Sequence, residues 1–114
     1  PVEGAARDAL IKKAPFYAAD VIPGGTYKGN PNDTQTVTVS ALWVSSSDVD
    51  EATAYGVVKG LFGNKKAGKI LKNGHAKGKA LTLATHSVGV PIPYCKGAAK
   101  FYKEKGVYKA PTAP

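Results

Sequence analysis

The two histidines and the one cysteine of this chain, His75, His86 and Cys95, have side chains suited to acid–base, nucleophilic or metal chemistry. The two histidines lie in different irregular stretches, and neither has a cysteine or carboxylate at the spacing of a metal site. A lysine follows the cysteine, but no sequence signature pairs the thiol with a base, so we expect a packed, unreactive thiol. No hydrolase triad motif or nucleophile elbow is present. The sequence therefore predicts a protein that is not an enzyme and that uses no metal and no cofactor.

A loop rich in glycine and proline, residues 23–33, carries a second group of candidate residues. Phosphate-binding loops place their glycines between a strand and a helix, whereas this loop leads into another predicted strand. We instead predict a tight turn that needs a positive φ at Gly24 or Gly25. The hydroxyl groups of Thr26 and Tyr27, next to this turn, then either bind a small polar ligand or close the turn.

Trp43 is the third candidate, and it is the single tryptophan of the chain. It lies in an apolar run, so the favoured interpretation is a core residue whose indole N–H needs a hydrogen-bond partner. The alternative is a wall of a ligand site, which requires that this end of the strand face a cleft.

The element that positions these residues is a predicted strand that leads directly into a helix. Residues 36–41 alternate polar and apolar side chains, as in a strand with one covered face, and the apolar run 42–44 predicts burial on both faces. The strand is thus expected to span Thr36 to Val44. Asp48 is predicted to be the helix N-cap, with Glu51 completing a capping box.

Other elements are predicted on both sides of this pair. The helix that follows Asp48 has an apolar face at helical spacing through Phe62. Near the start of the chain we predict a helix over Glu3–Lys13 that buries Ala6, Ala9 and Leu10, and an extended run over Phe16–Ile22. After Phe62 we predict a break or kink at residues 63–66, a helical stretch through Ala67, Ile70 and Leu71 closed by Asn73-Gly74, and a short strand or extended crossing at Thr82–Ala84. The last predicted helix runs over Gly97–Lys105, with Ala98, Phe101 and Tyr102 on one side and Gly106 as its C′ residue, and a tail follows over Val107–Pro114.

The formal net charge of +8 is unevenly distributed. Residues 1–63 carry five basic and seven acidic residues, whereas residues 64–114 carry eleven lysines and one acid. Such asymmetry is found in nucleic-acid-binding proteins, so a basic module using the Lys-rich half 64–114 is the alternative function. The favoured interpretation is a solvated lysine surface, because arginine is the usual residue for bidentate recognition of phosphate and bases.

The chain has 114 residues, enough for a small domain, and contains no methionine. A complete translation product begins with methionine, so we expect a processed product or a segment of a longer protein. No run approaches the roughly 20 apolar residues of a membrane-spanning helix.

Several stretches resemble one known family, the TAXI-type solute-binding proteins of TRAP transporters. Residues 22–29 (IPGGTYKG) are similar to the family segment IPAGTYPG, and residues 36–44 (TVTVSALWV) are similar to the strand TVAVxALLV that follows it. Val58, Lys59, Leu61 and Phe62 stand where the family has xxKALFxN. Residues 90–106 (VPIPYCKGAAKFYKEKG) resemble LPIPLHPGAxRYYxExG, except that Tyr94-Cys95-Lys96 replaces Leu-His-Pro. The order and spacing agree over nearly the whole chain.

The resemblance implies an α/β fold: a lobe like those of type II periplasmic binding proteins, present as a C-terminal fragment with a strand that crosses the hinge. Residues 1–35 would then be the end of one lobe and the inter-lobe loop, and residues 36–114 the crossing strand and C-terminal helices of the other lobe. The glycine-rich GTGSxxGxY segment of the family, which supplies part of the ligand pocket, is absent from these 114 residues.

The resemblance also implies a function: a periplasmic, and so extracytoplasmic, receptor that captures a small organic acid or amino acid such as glutamate. Its partners would be the solute, the integral-membrane TRAP transporter subunits and the remainder of the same polypeptide, with no nucleic acid. Gly25, Thr26, Tyr27 and Trp43 are the predicted ligand-binding residues. A structural or antigenic surface protein that has lost transport function is a third possibility.

Overall fold

The computed structural model describes residues 1–111, which contain helices and strands in mixed order. The elements in chain order are α1 (Gly4–Lys13), β1 (Tyr17–Ile22), β2 (Thr34–Val39), α2 (Glu51–Phe62), α3 (Lys65–Gly74), a 3-10 helix (Ala76–Ala80) and α4 (Lys96–Glu104). The chain divides into two compact units. We call residues 1–42 with 88–92 the hairpin unit, and residues 43–87 with 93–111 the helical unit.

The hairpin unit is built on a two-stranded antiparallel sheet. β1 pairs with β2 in a register that places Tyr17 opposite Val39 and Ile22 opposite Thr34. The backbone N–H of Val2 donates to the carbonyl of Gln35 at 2.9 Å, which ties the start of the chain to β2. The extended run predicted after Pro15 is thus confirmed as β1.

Helix α1 of the same unit forms where the sequence predicts it, but its predicted buried face is wrong. Ala6 and Ala9 are exposed, and the half-buried side of α1 instead carries Arg7, Leu10 and Ile11. No residue of positions 1–42 or 88–92 is buried.

The predicted strand over Thr36–Val44 is shorter than expected. β2 ends at Val39, and the segment that follows has no regular structure as far as Ser46. The physical reason is the register: Val39 pairs with Tyr17, the first residue of β1, so later residues of β2 have no strand to pair with. Whether this segment crosses a hinge in a larger receptor, and whether the two lobes divide at residue 35, remain predictions.

Helix α2 begins two residues later than the capping prediction. Its N-cap is Asp50, whose carboxylate accepts from the backbone N–H of Thr53 at 2.9 Å and from the Thr53 hydroxyl at 2.6 Å. Asp48 instead accepts from the hydroxyl of Ser46 at 3.1 Å. The predicted Asp48–Glu51 capping box is therefore wrong, although the prediction of a capped helix through Phe62 is confirmed.

The core of the helical unit lies between α2 and α4. Phe101 on α4 is 1% exposed, and Ala98 and Tyr102 are buried beside it. Ala54 is the buried residue of α2, and the ring of Tyr55 meets Phe101 edge to face at 5.9 Å between centroids. The apolar faces predicted from helical spacing in these two segments are confirmed.

Glycines fix the two ends of α4. A Cβ added at Gly97 would overlap the backbone of α2 at the carbonyl of Glu51, so only glycine permits this close helix approach. Gly106 has φ of +67° and follows the helix as the predicted C′ residue.

Helix α3 and the 3-10 helix form a second layer of the helical unit. The side chain of Asn64 accepts from the N–H of Ala67 at 2.8 Å and caps α3. The predicted break is confirmed at Gly63 and Asn64 but is wrong at Lys65 and Lys66, which form the first turn of α3. The short strand or extended crossing predicted at Thr82–Ala84 is wrong: the segment is a turn in which the N–H of Thr85 donates to the carbonyl of Thr82 at 3.2 Å. The last three residues of the predicted tail, 112–114, lie outside the described residues.

Candidate functional site

The glycine-rich loop between β1 and β2 is closed by its own backbone. Gly25 has φ of +78°, which confirms the prediction of a positive φ at one of the two glycines. Its N–H donates to the carbonyl of Asn30 at 2.7 Å, and the N–H of Gly24 donates to the carboxylate of Asp33 at 2.8 Å. A side chain at position 24 would overlap the carbonyl of Pro31, so the loop needs glycine there for space.

The two hydroxyl groups of this loop have different surroundings. The hydroxyl of Thr26 donates to the carbonyl of Pro23 at 2.6 Å and so helps to close the turn. Tyr27 is 64% exposed, and its hydroxyl has no hydrogen-bond partner among residues 1–111. The structure therefore places Gly25, Thr26 and Tyr27 together on one turn and leaves the Tyr27 hydroxyl available to a ligand.

Trp43 belongs to the helical unit and is 78% exposed. The favoured prediction of a core tryptophan is wrong, because the strand that was to bury it ends at Val39. The neighbouring Leu42 and Val44 are exposed as well. An exposed indole is compatible with the alternative role as a ligand wall, which remains a prediction.

The sequence gives no direct signal for a cleft where α2 and α4 begin. This open cleft has a volume of about 450 Å³. It is lined by residues 46–51 and 94–96. These two segments are more than forty positions apart, and the close helix approach at Gly97 brings them together. Gly97, at the start of the predicted last helix, is the sequence feature that could have indicated the close packing of α4 on α2.

The lining of this cleft combines acceptors, donors and one cation. Asp50 is engaged as the N-cap of α2, and its hydrogen bonds from the hydroxyl and backbone N–H of Thr53 lower the pKa of its carboxyl. The opposite helix, α4, starts at Cys95 without a side-chain cap and has no acidic residue in its first turn. Lys96 supplies an ammonium group at the same end. The cleft can therefore hydrogen-bond a small polar molecule.

His86 lies in a cluster of aromatic rings, and we assign it a structural role. Its ring is 4.1 Å from Tyr102 and 6.1 Å from Tyr94 between centroids. Its Nδ1 lies 2.7 Å from the carbonyl of Leu83, so this nitrogen carries the proton and donates. Its Nε2 and the Tyr94 hydroxyl are buried with no hydrogen-bond partner in the described part of the chain. Burial also raises the pKa of Tyr94 and Tyr102.

The other two candidate chemical residues are engaged in local structure. The Nδ1 of His75 accepts from the N–H of Lys77 at 3.1 Å and caps the 3-10 helix. Cys95 is a half-buried free thiol packed against the core around Phe101. Across residues 1–111, no group of three or more histidine, cysteine or acidic side chains is placed to hold a metal ion.

Comparison with known protein families gives a match that spans residues of both units. The model of the NMT1-like family matches residues 1–106, from the start of the chain through the C′ glycine of α4. Within the described residues, no helix has the length and apolar character to cross a membrane.

Proposed function

Because this chain belongs to the NMT1-like family, which is of the extracytoplasmic solute-binding type, we propose that it is part of a periplasmic receptor of the TAXI type. The receptor captures a small organic acid or amino acid, such as glutamate, and delivers it to the integral-membrane subunits of a TRAP transporter. The observation that carries this proposal is the family match over residues 1–106. The TAXI-like segments at residues 22–29 and 90–106 support the subtype.

The mechanism that fits such a receptor is closure of two lobes around the solute. Solute pockets are lined mostly by apolar and aromatic groups, with a few polar groups that fix orientation. Tyr27 offers an exposed ring and a free hydroxyl, and Trp43 offers an exposed indole. We propose each of them separately as a solute contact. Gly25 and Thr26 support the first by holding its turn, as their hydrogen bonds to Asn30 and Pro23 indicate.

The hairpin unit supports the proposal that more of the same polypeptide completes the lobe. Phe16, Val21 and Val39 are exposed large apolar residues of the sheet region. An isolated two-stranded sheet is marginal in water, and stable sheets add strands or a covering helix. We propose that the remainder of the polypeptide covers this apolar surface.

The test is isothermal titration calorimetry of the intact protein against a panel of acidic amino acids, dicarboxylates and 2-oxo acids. We expect one member to bind with a negative heat-capacity change, since apolar surface is buried on closure. Absence of binding to every member of the panel would contradict the proposal.

The site residues are tested with the solute so identified. Loss of one hydrogen bond in Tyr27→Phe should weaken binding by about tenfold, and removal of the indole in Trp43→Ala by about tenfold or more. Tyr108→Phe is the matched control, because this exposed tyrosine packs on Tyr94 and is not one of the predicted ligand-binding residues. If all three variants bind the solute with the affinity of the wild type, Tyr27 and Trp43 are not part of the site, while the receptor function still stands.

A further inference from the structure

The helical unit carries a dense group of exposed lysines that the solute-binding function does not use. Six lysines occur within residues 65–79, and no acidic residue occurs from position 52 to position 103. All six are exposed. We call this group the lysine face: Lys65, Lys66, Lys69, Lys72, Lys77 and Lys79.

The four lysines of α3 point to one side of the helix. At about 100° per residue, they fall within an arc of about 120°. Ala67, Gly68 and Leu71 occupy the other side and are half-buried against the rest of the unit. Ile70 lies at the margin between the two sides and is 63% exposed. The helix therefore presents a cationic surface with an apolar residue at its edge.

The 3-10 helix adds two more exposed lysines beyond the end of α3. Gly78 is buried, and a Cβ added there would overlap the carbonyl oxygen of Leu71. This close approach fixes the position of the 3-10 helix against the backbone of α3. Lys77 and Lys79, which flank Gly78, are thereby held near the C-terminal end of α3 and remain exposed.

The arrangement is unfavourable for α3 itself. Lys65 and Lys66 lie in the first turn, at the positive end of the helix dipole, with no acidic residue to offset them. Lys69 follows at the three- and four-residue spacings where like charges repel. No lysine of the face forms an ion pair within residues 1–111. An anionic partner would relieve all of these repulsions at once.

We propose that the lysine face docks on an anionic phospholipid surface. Each basic residue near an anionic membrane surface adds to the attraction between protein and membrane. A lysine ammonium group can pair with a phosphate headgroup without a fixed geometry. Ile70 and the exposed Leu81 can enter the boundary between headgroups and acyl chains. The inference does not depend on which solute the receptor binds.

Two other occupants fit the observations less well. A nucleic acid is disfavoured because residues 65–80 contain no phenylalanine, tyrosine or tryptophan on which bases could stack, and the ring of His75 caps the 3-10 helix. A covering segment of protein would have to bury several lysines, and a buried ammonium group without a partner is costly. An anionic lipid surface leaves the ammonium groups hydrated while neutralising them.

The experiment is flotation of the intact protein with phosphatidylcholine vesicles that contain about one-third phosphatidylglycerol, at low salt. The test variant replaces the four lysines of α3 by Gln: Lys65, Lys66, Lys69 and Lys72. The control variant replaces four lysines outside the lysine face by Gln: Lys12, Lys13, Lys28 and Lys109. Each variant loses four exposed lysines, so the two variants have the same net charge. We expect a loss of vesicle binding of about tenfold or more in the first variant and less than about threefold in the second.

A second variant separates charge from folding. Replacing the four α3 lysines by Arg keeps the charge and should keep vesicle binding, and binding of the wild type should fall as salt screens the surface. Vesicle binding that is absent, or that falls equally in both Gln variants, would overturn the proposal. Binding to duplex DNA without binding to vesicles would also overturn it and favour a nucleic-acid interface.

Discussion

The helical unit and the hairpin unit differ most in what they bury. In the helical unit, α2 and α4 meet closely enough to exclude solvent from Phe101, Ala98 and Tyr102. In residues 1–42 and 88–92, every side chain is half-buried or exposed. Both units contain apolar residues at the right period for their elements. The comparison shows that periodicity places apolar residues on one face, while burial requires a second layer to cover that face.

The helix termini follow this division only in part. Within the helical unit, α2 and α3 have side-chain caps at Asp50 and Asn64, whereas α4 starts at Cys95 without one. Helix α1 of the hairpin unit also starts with no side-chain hydrogen bond to its first turn. Helices of this length depend on tertiary packing for most of their stability, and α4 obtains it by burying Phe101 and Tyr102 against α2.

The largest expected effect comes from removing the ring at the centre of the helical core. Phe101→Ala should lower the free energy of unfolding by about 3–5 kcal/mol, since Phe101 is 1% exposed. Phe16→Ala is the matched control in the hairpin unit, where the ring is 45% exposed, and should change stability by about 1 kcal/mol or less. Urea unfolding followed by circular dichroism measures both. Similar losses in the two variants would contradict the proposed difference between the units.

An intermediate effect is expected at the contact between α2 and α4. Gly97→Ala should destabilise the protein by about 1–3 kcal/mol, because the added methyl group meets the backbone of α2 and the Cβ of Ala54 at 2.9 Å.

The control for this contact is Gly56→Ala within α2, where a Cβ meets nothing within 4 Å. That change should stabilise by roughly 0.5–1 kcal/mol, the usual gain from alanine in a helix interior. The same urea series compares the two variants, and a destabilisation of similar size at both positions would show that close approach is not the cause.

The smallest expected effect is the pH dependence of the α2 cap. Hydrogen bonds from Thr53 lower the pKa of Asp50 in the folded state. The ionised form therefore stabilises the fold above the unfolded pKa of about 3.9, and this contribution is lost as pH falls through the lower folded value. Melting temperatures of wild type and Asp50→Asn should differ at neutral pH and converge below about pH 4.

Glu3→Gln at α1 is the control for the cap, since Glu3 makes no capping hydrogen bond. Its melting temperature should follow the wild type across the same pH range. A pH-independent gap for Asp50→Asn, or an equal convergence for Glu3→Gln, would show that the carboxylate of Asp50 has no special role.

Most of the elements could be predicted because their signals are local. Apolar spacing identifies the faces of α2 and α4, Gly63 and Asn64 mark the break before α3, and Gly106 marks the end of α4. The predicted cap of α2, Asp48, lies two residues before the observed cap, because Ser46, Asp48 and Asp50 offer competing acceptors at neighbouring positions. A side chain accepts from whichever backbone N–H the chain presents to it, and spacing alone does not settle that choice.

The candidate site was less predictable. Gly25 adopts the expected positive φ, because a turn of this composition leaves few other conformations. Which of the predicted residues touch the solute stays a prediction. The cleft at the start of α2 and α4 had no sequence signal of its own, because its two walls come from segments that are distant in the chain.

By itself, the sequence determined the positions of α1 to α4, of β1 and of the start of β2, the tight turn at residues 24–25 and, through its motifs, membership of a solute-binding family. Each of these depends on residues close together in the chain. The tertiary structure alone decided that Trp43 is exposed and that Gly97 brings α2 and α4 together. Burial and cleft formation depend on which surfaces meet, and an apolar run such as residues 42–44 has the same sequence whether or not another layer covers it.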